Sequence, residues 1–324
     1  MSKAIRIARH GGPEVLEWVD ADVSAPGPGE VLLRQTAVGL NFIDTYQRSG
    51  LYPVPLPSGL GQEAAGVVAA VGADVADFRI GDRAAYAGGP PGAYAEQRVI
   101  PAARLVKLPR GVADEQAAAV MLKGLTAWYL LRKTFPVKRG DVLLVHAAAG
   151  GVGSVLVPWA AHLGATVIGT AGGPDKVRRA RALGCAHAID YRAEDFVAEV
   201  QRHTDGRGVD VVYDSVGADT FMKSLDCLRP LGMMVSYGNA SGRPPALDPL
   251  VLSQKGSLFL TRPTLGHYAA RREELLNGAK ALFHVMRSGV VEAEVGQRYA
   301  LKDAAIAHRD LENRKTVGAT VLLP

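Results

Sequence analysis

The stretch Val142-Leu-Leu-Val-His-Ala-Ala-Ala-Gly-Gly-Val-Gly153 decides the fold of this chain. It reads as a buried strand, a glycine-rich turn, and the start of a helical pattern that covers residues 152–163. A helix that begins this way presents unpaired backbone N–H groups and a partial positive charge at the turn. The glycines at 150, 151 and 153 would let a diphosphate approach the backbone closely. We therefore predict a dinucleotide site here, the alternative being a tight turn needed only for packing.

The chain continues from this turn as strands that alternate with helices. Strand-length apolar runs recur at residues 165–170, 188–190, 209–213, 233–237 and 256–261. Helical patterns fall between them at residues 176–183, 193–203 and 219–228. This alternation predicts a doubly wound parallel sheet with helices on both faces.

The first 110 residues have a different character. Short strand-like runs are punctuated by clusters of glycine and proline; these runs fall at residues 4–8, 30–38, 63–71 and 97–100. Regular turn punctuation of this kind is typical of a compact β-rich domain. A last strand-like run at residues 319–323 is expected to return to that domain.

Composition excludes several classes of protein. The 324 residues predict roughly two domains, and the net charge is only +5, from 37 basic and 32 acidic residues that are scattered along the chain. This charge does not predict a nucleic-acid-binding protein. Two cysteines are too few for a disulfide framework or a cysteine-rich zinc site. No secretory signal and no run of about 18 apolar residues is evident, so we expect a cytoplasmic protein.

The second glycine-rich turn indicates which dinucleotide binds. An acidic residue about 20 positions after the first glycine would bind the ribose hydroxyl of NAD, and residues 168–171 contain none. Gly172, Gly173 and Lys176 follow instead, and this set favours the 2′-phosphate of NADPH. Lys176 could also be a solvated helix lysine. Asp175 would repel a phosphate if it faced inward, so we expect it to point away.

Several motifs resemble one known superfamily; they lie at residues 38–44, 59–66, 81–83, 147–153, 213–217, 237–239 and 256–263. The chain resembles the medium-chain dehydrogenase/reductase superfamily, and within it the zinc-independent quinone oxidoreductases of the zeta-crystallin type. The resemblance runs almost end to end. It implies an α/β fold with a GroES-like β-rich catalytic domain at residues 1–125 plus 266–324. A Rossmann dinucleotide-binding domain is implied at residues 126–265.

The residues at the metal position argue separately against zinc. In zinc-dependent relatives a cysteine occupies the place of Asn41 and a histidine the place of Gln62. Both residues are amides here, and Glu63 alone cannot hold the metal. We therefore expect no metal site. Without a Lewis acid, alcohol oxidation loses its usual means of stabilising an alkoxide, whereas an electron-poor acceptor takes a hydride readily.

The resemblance implies an NADPH-dependent quinone oxidoreductase that works as a homodimer. The dimer would extend the cofactor-domain sheet through residues 256–261. One alternative is reduction of α,β-unsaturated carbonyls or enoyl thioesters on the same fold. A second alternative, from another class, is an RNA-binding or crystallin-like structural role, although the chain has no basic run with interleaved aromatic residues.

The resemblance also implies the site residues. Asn41 is expected to bind the nicotinamide ribose or the substrate oxygen, and Tyr46, with Tyr52 as second choice, to donate to a quinone oxygen. Asn41 could instead be an amide that stabilises a turn, and each tyrosine could be a packed loop residue. Lys123 could reach a diphosphate or be solvated, and His146 is expected to order the glycine turn. The cofactor contacts expected besides Asn41, Tyr46, Lys176 and the glycines are Phe42, Thr45, Thr126, Tyr129, Val152, Tyr191, Ser215, Tyr237, Gly238, Asn239, Thr264 and Lys315.

Overall fold

The computed structural model describes residues 2–324, which divide into two compact units. Unit 1 contains residues up to 125 together with residues 269–287 and 292–324. Unit 2 contains residues 126–268 and 288–291. Residues 266–268 and 288–291, which the sequence places with the first domain, thus belong to unit 2.

The described part of the chain contains sixteen strands and ten α-helices, besides a few short 3₁₀ and π segments. The strands are β1 (Ser2–Ile7), β2 (Glu17–Ala21), β3 (Glu30–Leu40), β4 (Ser58–Gly59), β5 (Glu63–Val71), β6 (Arg83–Ala87), β7 (Gln97–Pro101), β8 (Val106–Lys107), β9 (Val142–Val145), β10 (Thr166–Ala171), β11 (His187–Asp190), β12 (Val209–Asp214), β13 (Leu228–Ser236), β14 (Phe259–Thr261), β15 (Val295–Ala300) and β16 (Ala319–Leu323). The helices are α1 (Phe42–Ser49), α2 (Asp114–Tyr129), α3 (Gly153–His162), α4 (Pro174–Ala182), α5 (Phe196–His203), α6 (Phe221–Leu225), α7 (Leu250–Gln254), α8 (Leu265–Tyr268), α9 (Arg272–Arg287) and α10 (Ala304–Glu312).

Unit 1 is built on a seven-stranded, mostly antiparallel sheet. Its order is β15-β16-β3-β5-β6-β8, and β7 pairs with β3 outside this path. The long strand β3 therefore organises the sheet, and its last residue, Leu40, lies opposite Thr320 of the C-terminal strand. A second sheet of three strands, β2-β1-β4, contributes Ile5 and Ile7 to the shared apolar core. Strand β3 ends one residue before Asn41, so the rigid sheet fixes the start of α1.

Unit 2 is a six-stranded parallel sheet in the order β11-β10-β9-β12-β13-β14. The chain builds outward in one direction from β9 to β11, then in the other from β12 to β14. The order therefore reverses between β9 and β12, and ligands of such sheets bind at the carboxyl ends of the strands beside this point. Leu143, Leu144 and Val145 of β9 are fully buried, because the strand lies inside the sheet.

Two details differ from the sequence expectations. The last strand of unit 2 begins at Phe259, not at residue 256, because residues 256–258 form the turn that leads into it. Helix α3 runs from Gly153 to His162, one residue shorter at each end than the predicted range 152–163, and Pro158 lies inside it. No helix in residues 2–324 is both long enough and apolar enough to cross a membrane.

Candidate functional site

The first glycine turn follows β9 at the point where the strand order reverses. Ala147 adopts a left-handed conformation with φ of 53°, and the N–H of Gly150 donates to its carbonyl at 2.8 Å. A side chain on Gly153 would clash with the carbonyls of Ala147 and Ala148. Only glycine therefore lets α3 start so close to the end of the strand, which leaves the helix N-terminus at the carboxyl edge of the sheet.

His146 is a fixed part of the sheet edge. Its Nδ1 lies 2.9 Å from Thr170 Oγ1, and its Nε2 lies 2.9 Å from Ser224 Oγ. The Ser224 hydroxyl in turn lies 3.2 Å from Asp214 Oδ2. Burial lowers the pKa of His146, which keeps the ring neutral. The imidazole thus joins the ends of three strands and α6, in line with an ordering role.

The loops after β12 and β13 lie directly against each other. Asp214 accepts hydrogen bonds from the N–H groups of Val216 at 2.7 Å and Gly217 at 3.1 Å. A side chain on Gly238 would clash with the carbonyl of Ser215. The structure therefore brings Ser215 and Gly238 together, as the sequence predicts, and the buried carboxylate of Asp214 holds the first loop in shape.

Arg262 is a residue of this edge that the sequence analysis missed. It follows β14 directly, and its Nη1 donates to Ser236 Oγ and to the carbonyl of Gly238, both at 2.9 Å. Its Nη2 donates to Asn239 Oδ1 at 3.1 Å. The guanidinium therefore ties the loop after β13 to the end of the next strand. Thr264, two residues further on, is exposed.

A pair of stacked tyrosines lies in the same unit. The rings of Tyr129 and Tyr268 are 4.7 Å apart and nearly parallel, with an interplanar angle of 11°. Burial raises the pKa of Tyr129, while a hydrogen bond from Thr126 and the nearby Tyr237 also act on its phenol. Thr126, Tyr129 and Tyr237 therefore form one cluster, and Tyr268 is a member that no sequence motif indicated.

The second glycine turn lies between β10 and α4. A Cβ on Gly172 would lie 2.5 Å from Tyr191 Oη and 3.1 Å from Arg192 Nε. Gly173 has a φ of 94° and donates its N–H to Asp190 Oδ1 at 2.9 Å. The tyrosine hydroxyl and the guanidinium thus approach a backbone that carries no side chains. Arg192 was missed from the sequence, although it directly follows Tyr191 after the neighbouring strand.

The acidic side chains near this turn are paired with other groups. The side chain of Asp175 is 86% exposed and pairs with Arg178, so it points outward as expected. Asp190 accepts the N–H groups of Gly173 and Arg192, and these two hydrogen bonds lower its pKa. Its carboxylate is therefore used to hold the turn.

In unit 1, three polar side chains meet in a buried cluster. Glu63 is fully buried, and its Oε1 accepts from Asn41 Nδ2 at 2.7 Å and from Lys123 Nζ at 2.8 Å. The backbone N–H of Leu122 donates to Oε2 at 2.6 Å. We call Asn41, Glu63 and Lys123 the Glu63 cluster. Lys123 is therefore not solvated: it is 6% exposed and forms a buried ion pair.

Aromatic side chains lie next to this cluster in sequence and pack together. The ring centroids of Tyr46 and Tyr52 are 5.2 Å apart with an interplanar angle of 66°, and the ring of Phe42 lies 6.1 Å from that of Tyr46. The Thr45 hydroxyl donates to the carbonyl of Phe42 at 2.8 Å inside the first turn of α1. Asn41 caps this helix, so all five residues share one local framework.

A chain of buried hydrogen bonds extends from the same helix. Asp44 Oδ2 accepts from the N–H of Asn41 at 2.9 Å and from Tyr94 Oη at 3.0 Å. Tyr94 Oη also lies 3.0 Å from His308 Nε2, and His308 Nδ1 lies 3.1 Å from Arg48 Nη1. Because arginine can only donate, Nδ1 accepts and Nε2–H donates to Tyr94. Burial raises the pKa of Asp44 to about 7 and lowers that of His308 to about 3. We call Asp44, Tyr94, His308 and Arg48 the Asp44 chain.

Two further expectations concern unit 1. Lys315 is exposed and pairs with Asp310 at 3.6 Å, so its contact with a cofactor stays a prediction. Among residues 2–324, no three His, Cys, Asp or Glu side chains are grouped so that they could hold a metal ion.

Comparisons with known proteins connect this geometry to a family. The alcohol dehydrogenase GroES-like domain matches residues 27–110, and the zinc-binding dehydrogenase model matches residues 151–276. A quinone oxidoreductase of Pseudomonas aeruginosa is 54% identical over 325 residues, which cover all of both chains. This chain belongs to the quinone oxidoreductase family.

A solved structure and a further relative are similar to this chain over nearly its whole length. The Escherichia coli quinone oxidoreductase in complex with NADPH is 48% identical and superposes with a TM-score of 0.98, covering 99% of this chain and 100% of that one. A 2-haloacrylate reductase of Burkholderia is 49% identical and covers 100% of this chain and 99% of its own. The predicted fold of a GroES-like domain with a Rossmann-type parallel sheet is confirmed.

Proposed function

We propose that this protein is an NADPH-dependent quinone oxidoreductase. The observation that carries this proposal is the second glycine turn, where Tyr191 and Arg192 approach the bare backbone of Gly172. A phosphate there would meet a hydroxyl, a guanidinium and the N-terminus of α4, which is a favourable anion environment. Family membership supports the reaction, and the NADPH complex of the Escherichia coli protein supports the choice of cofactor.

The residues of unit 2 fit the cofactor. The turn at Gly150–Gly153 would take the diphosphate, and the loops containing Ser215 and Gly238 would border it at the sheet edge. Bound NADPH supplies the hydride. The proposed cofactor contacts are Asn41, Phe42, Thr45, Tyr46, Thr126, Tyr129, Gly150, Gly151, Val152, Gly153, Gly172, Gly173, Lys176, Tyr191, Ser215, Tyr237, Gly238, Asn239, Thr264 and Lys315, to which we add Arg192.

The residues of unit 1 would orient the acceptor. Asn41 Nδ2 donates to Glu63 Oε1, and the amide oxygen of Asn41 has acceptor capacity that a ribose hydroxyl could use. Tyr46 and Tyr52 carry phenolic hydroxyls that can donate to a carbonyl oxygen of the acceptor. We propose these three residues as the catalytic set.

A second candidate reaction is reduction of an activated alkene. The observation that favours it is the 49% identity to a 2-haloacrylate reductase over the whole chain. Both reactions transfer a hydride to an electron-poor carbon–oxygen or carbon–carbon system, and they use the same cofactor site.

Turnover assays, together with titration of the protein with each cofactor, test the proposal. The purified protein is mixed with NADPH or NADH, and loss of nicotinamide absorbance is followed with 1,4-benzoquinone or 2-chloroacrylate as acceptor. We expect turnover with the quinone and at least about tenfold tighter binding of NADPH than of NADH, the difference of one charge-assisted contact. Turnover with 2-chloroacrylate alone would establish the second reaction, and a preference for NADH would contradict the cofactor assignment.

We also propose that two copies pair through β14. This strand closes one edge of the parallel sheet, hydrogen-bonds only to β13 within the described chain, and exposes Phe259 and Leu260. Open, apolar strand edges favour pairing with another strand. We expect light scattering to give twice the chain mass, and Phe259→Lys to give a monomer. Ile80→Lys, at an exposed apolar residue of unit 1, is the control that should stay dimeric.

A further inference from the structure

The Glu63 cluster places the amino group of Lys123, paired with Glu63, beside the proposed catalytic amide of Asn41. We propose that the ammonium of Lys123 contacts the acceptor oxygen and stabilises the negative charge that develops there during reduction. This inference rests on the proposed function and adds a fourth catalytic residue to it. It is a role that no motif in the sequence indicated.

The first argument is the position of the ammonium. Lys123 Nζ and Asn41 Nδ2 both donate to the same oxygen, Glu63 Oε1, at 2.8 and 2.7 Å. The two nitrogens are therefore immediate neighbours. A ligand that contacts the amide of Asn41 therefore lies close to Lys123 Nζ.

The second argument is the unused donor capacity of the lysine. An ammonium carries three N–H donors, and Glu63 is the one residue of the described chain that accepts from it. The side chain is 8% exposed, so bulk water cannot satisfy the remaining donors in full. Buried donors are normally satisfied, and an acceptor oxygen of a bound substrate would complete the set.

The third argument is that the charge is held in place. Glu63 is fixed by the N–H of Leu122 and by Asn41 as well as by the lysine, so its carboxylate cannot turn. A buried ion pair adds little net stability, because desolvation offsets the attraction. What this pair does provide is a cation whose position is set before any ligand arrives, and preorganised charge is the largest single contribution in many enzymes.

The chemistry balances without any further reactant. A hydride, one proton with two electrons, would reduce the quinone to the hydroquinone monoanion and leave the cofactor as NADP⁺. Negative charge grows on the oxygen that faces Lys123, which keeps its own proton. A proton from solvent then converts the monoanion to the hydroquinone.

The kinetic test removes the charge without leaving Glu63 unpaired. We compare wild type with Lys123→Met/Glu63→Gln, in which both charges are lost, and with Lys123→Arg, in which the charge stays. Lys107→Met removes an exposed lysine of the same unit and is the matched control. We expect the double variant to bind NADPH within about twofold of wild type and to transfer hydride about 100-fold more slowly. Lys123→Arg should retain at least a tenth of the rate, and Lys107→Met all of it.

A series of quinones of decreasing reduction potential separates catalysis from packing. Quinones of lower reduction potential carry more negative charge on oxygen in the transition state. The factor by which the double variant slows hydride transfer should therefore grow along the series. A loss of equal size for every acceptor, or a rate within threefold of wild type, would overturn the inference. In the second case the quinone activity itself would still stand, whereas an inactive wild type would refute the proposed function instead.

A spectroscopic experiment needs no turnover. 4-Nitrophenol mimics the anionic product, and its absorbance reports whether the bound molecule is phenol or phenolate. With NADP⁺ present, we expect wild type to lower the pKa of bound 4-nitrophenol by at least one unit, and the double variant to abolish this shift. An equal shift in both proteins would contradict a contact between Lys123 and the acceptor oxygen.

Discussion

At the scale of the residue, the proposed cofactor site depends on glycines that let other groups come close to the backbone. Gly153 permits α3 to start against the carbonyls of the preceding turn, and Gly172 leaves room for Tyr191 and Arg192. The glycines could be found from the sequence, because turns of this type need them at fixed positions. Arg192 could not, because its place over Gly172 depends on how β11 pairs with β10.

Arg192 is predicted to discriminate between the two dinucleotides. Arg192→Gln should weaken NADPH binding by about tenfold and leave NADH binding unchanged, because only NADPH carries the 2′-phosphate. Fluorescence titration with both cofactors measures the effect. Arg202→Gln, on an exposed arginine of α5, is the control. Equal weakening of both cofactors by Arg192→Gln would show that the guanidinium acts elsewhere.

Gly153 is predicted to be irreplaceable. Gly153→Ala should lower the free energy of unfolding by about 2 kcal/mol or more, because the new Cβ would overlap two carbonyl oxygens. Urea denaturation measures this change. Gly266→Ala, whose Cβ would find its nearest atom at 3.9 Å, should stay within about 0.5 kcal/mol of wild type. If the two variants were equally stable, the tight turn would not be the constraint.

At the scale of the element, local pattern and observed structure agree well. The run after residue 142 forms β9, and the helical spacing that follows forms α3 with its ends shifted by one residue. Pro158 breaks the local rule, since it removes an N–H from the interior of α3, yet the helix continues through it. Packing of the helix on the sheet therefore outweighs the local preference.

Replacing this proline is predicted to stabilise the protein. Pro158→Ala should raise the free energy of unfolding by about 1 kcal/mol or more, because the N–H of residue 158 can then donate to the carbonyl of Ser154. Urea denaturation of both proteins measures the difference. An unchanged or lower stability would mean that the proline ring fills space that alanine cannot.

At the scale of the whole molecule, long-range contacts set the ionisation of buried groups. The Asp44 chain joins α1, the loop before β7 and α10, so Asp44 and His308 share one buried network. The folded pKa of Asp44, about 7, lies above its ordinary value of 3.8. The folded pKa of His308, about 3, lies below its ordinary value of 6.5.

These two shifts are predicted to oppose each other in the pH dependence of stability. Between pH 3.8 and about 7 the folded carboxyl keeps a proton that the unfolded chain loses, so its contribution falls as pH rises. Between pH 3 and 6.5 the unfolded histidine binds a proton that the folded one does not, so that contribution rises with pH. The contributions of Asp44 and His308 to the pH dependence of the free energy of unfolding should therefore nearly cancel between about pH 4 and 6.5.

The substitution Asp44→Asn separates the contribution of His308 to the pH dependence of stability from that of Asp44. In Asp44→Asn an amide oxygen still accepts from Asn41 and Tyr94, but the carboxyl titration is gone. Relative to wild type, the free energy of unfolding should then rise by about 1.4 kcal/mol per pH unit through this window. Denaturation at a series of pH values measures the slope. Parallel profiles for the two proteins would show that Asp44 is ionised throughout.

The sequence by itself determined the alternation of strands and helices, the two glycine turns and the family, because each is written in residues that are close together along the chain. Only the tertiary structure decided that Lys123 is buried against Glu63, that Arg192 lies over Gly172, and that Asp44 and His308 titrate in one network. These contacts join residues from about 20 to more than 200 positions apart. These long-range contacts form because strands pair and charged groups become buried. Neither event can be predicted from residues that are neighbours in sequence.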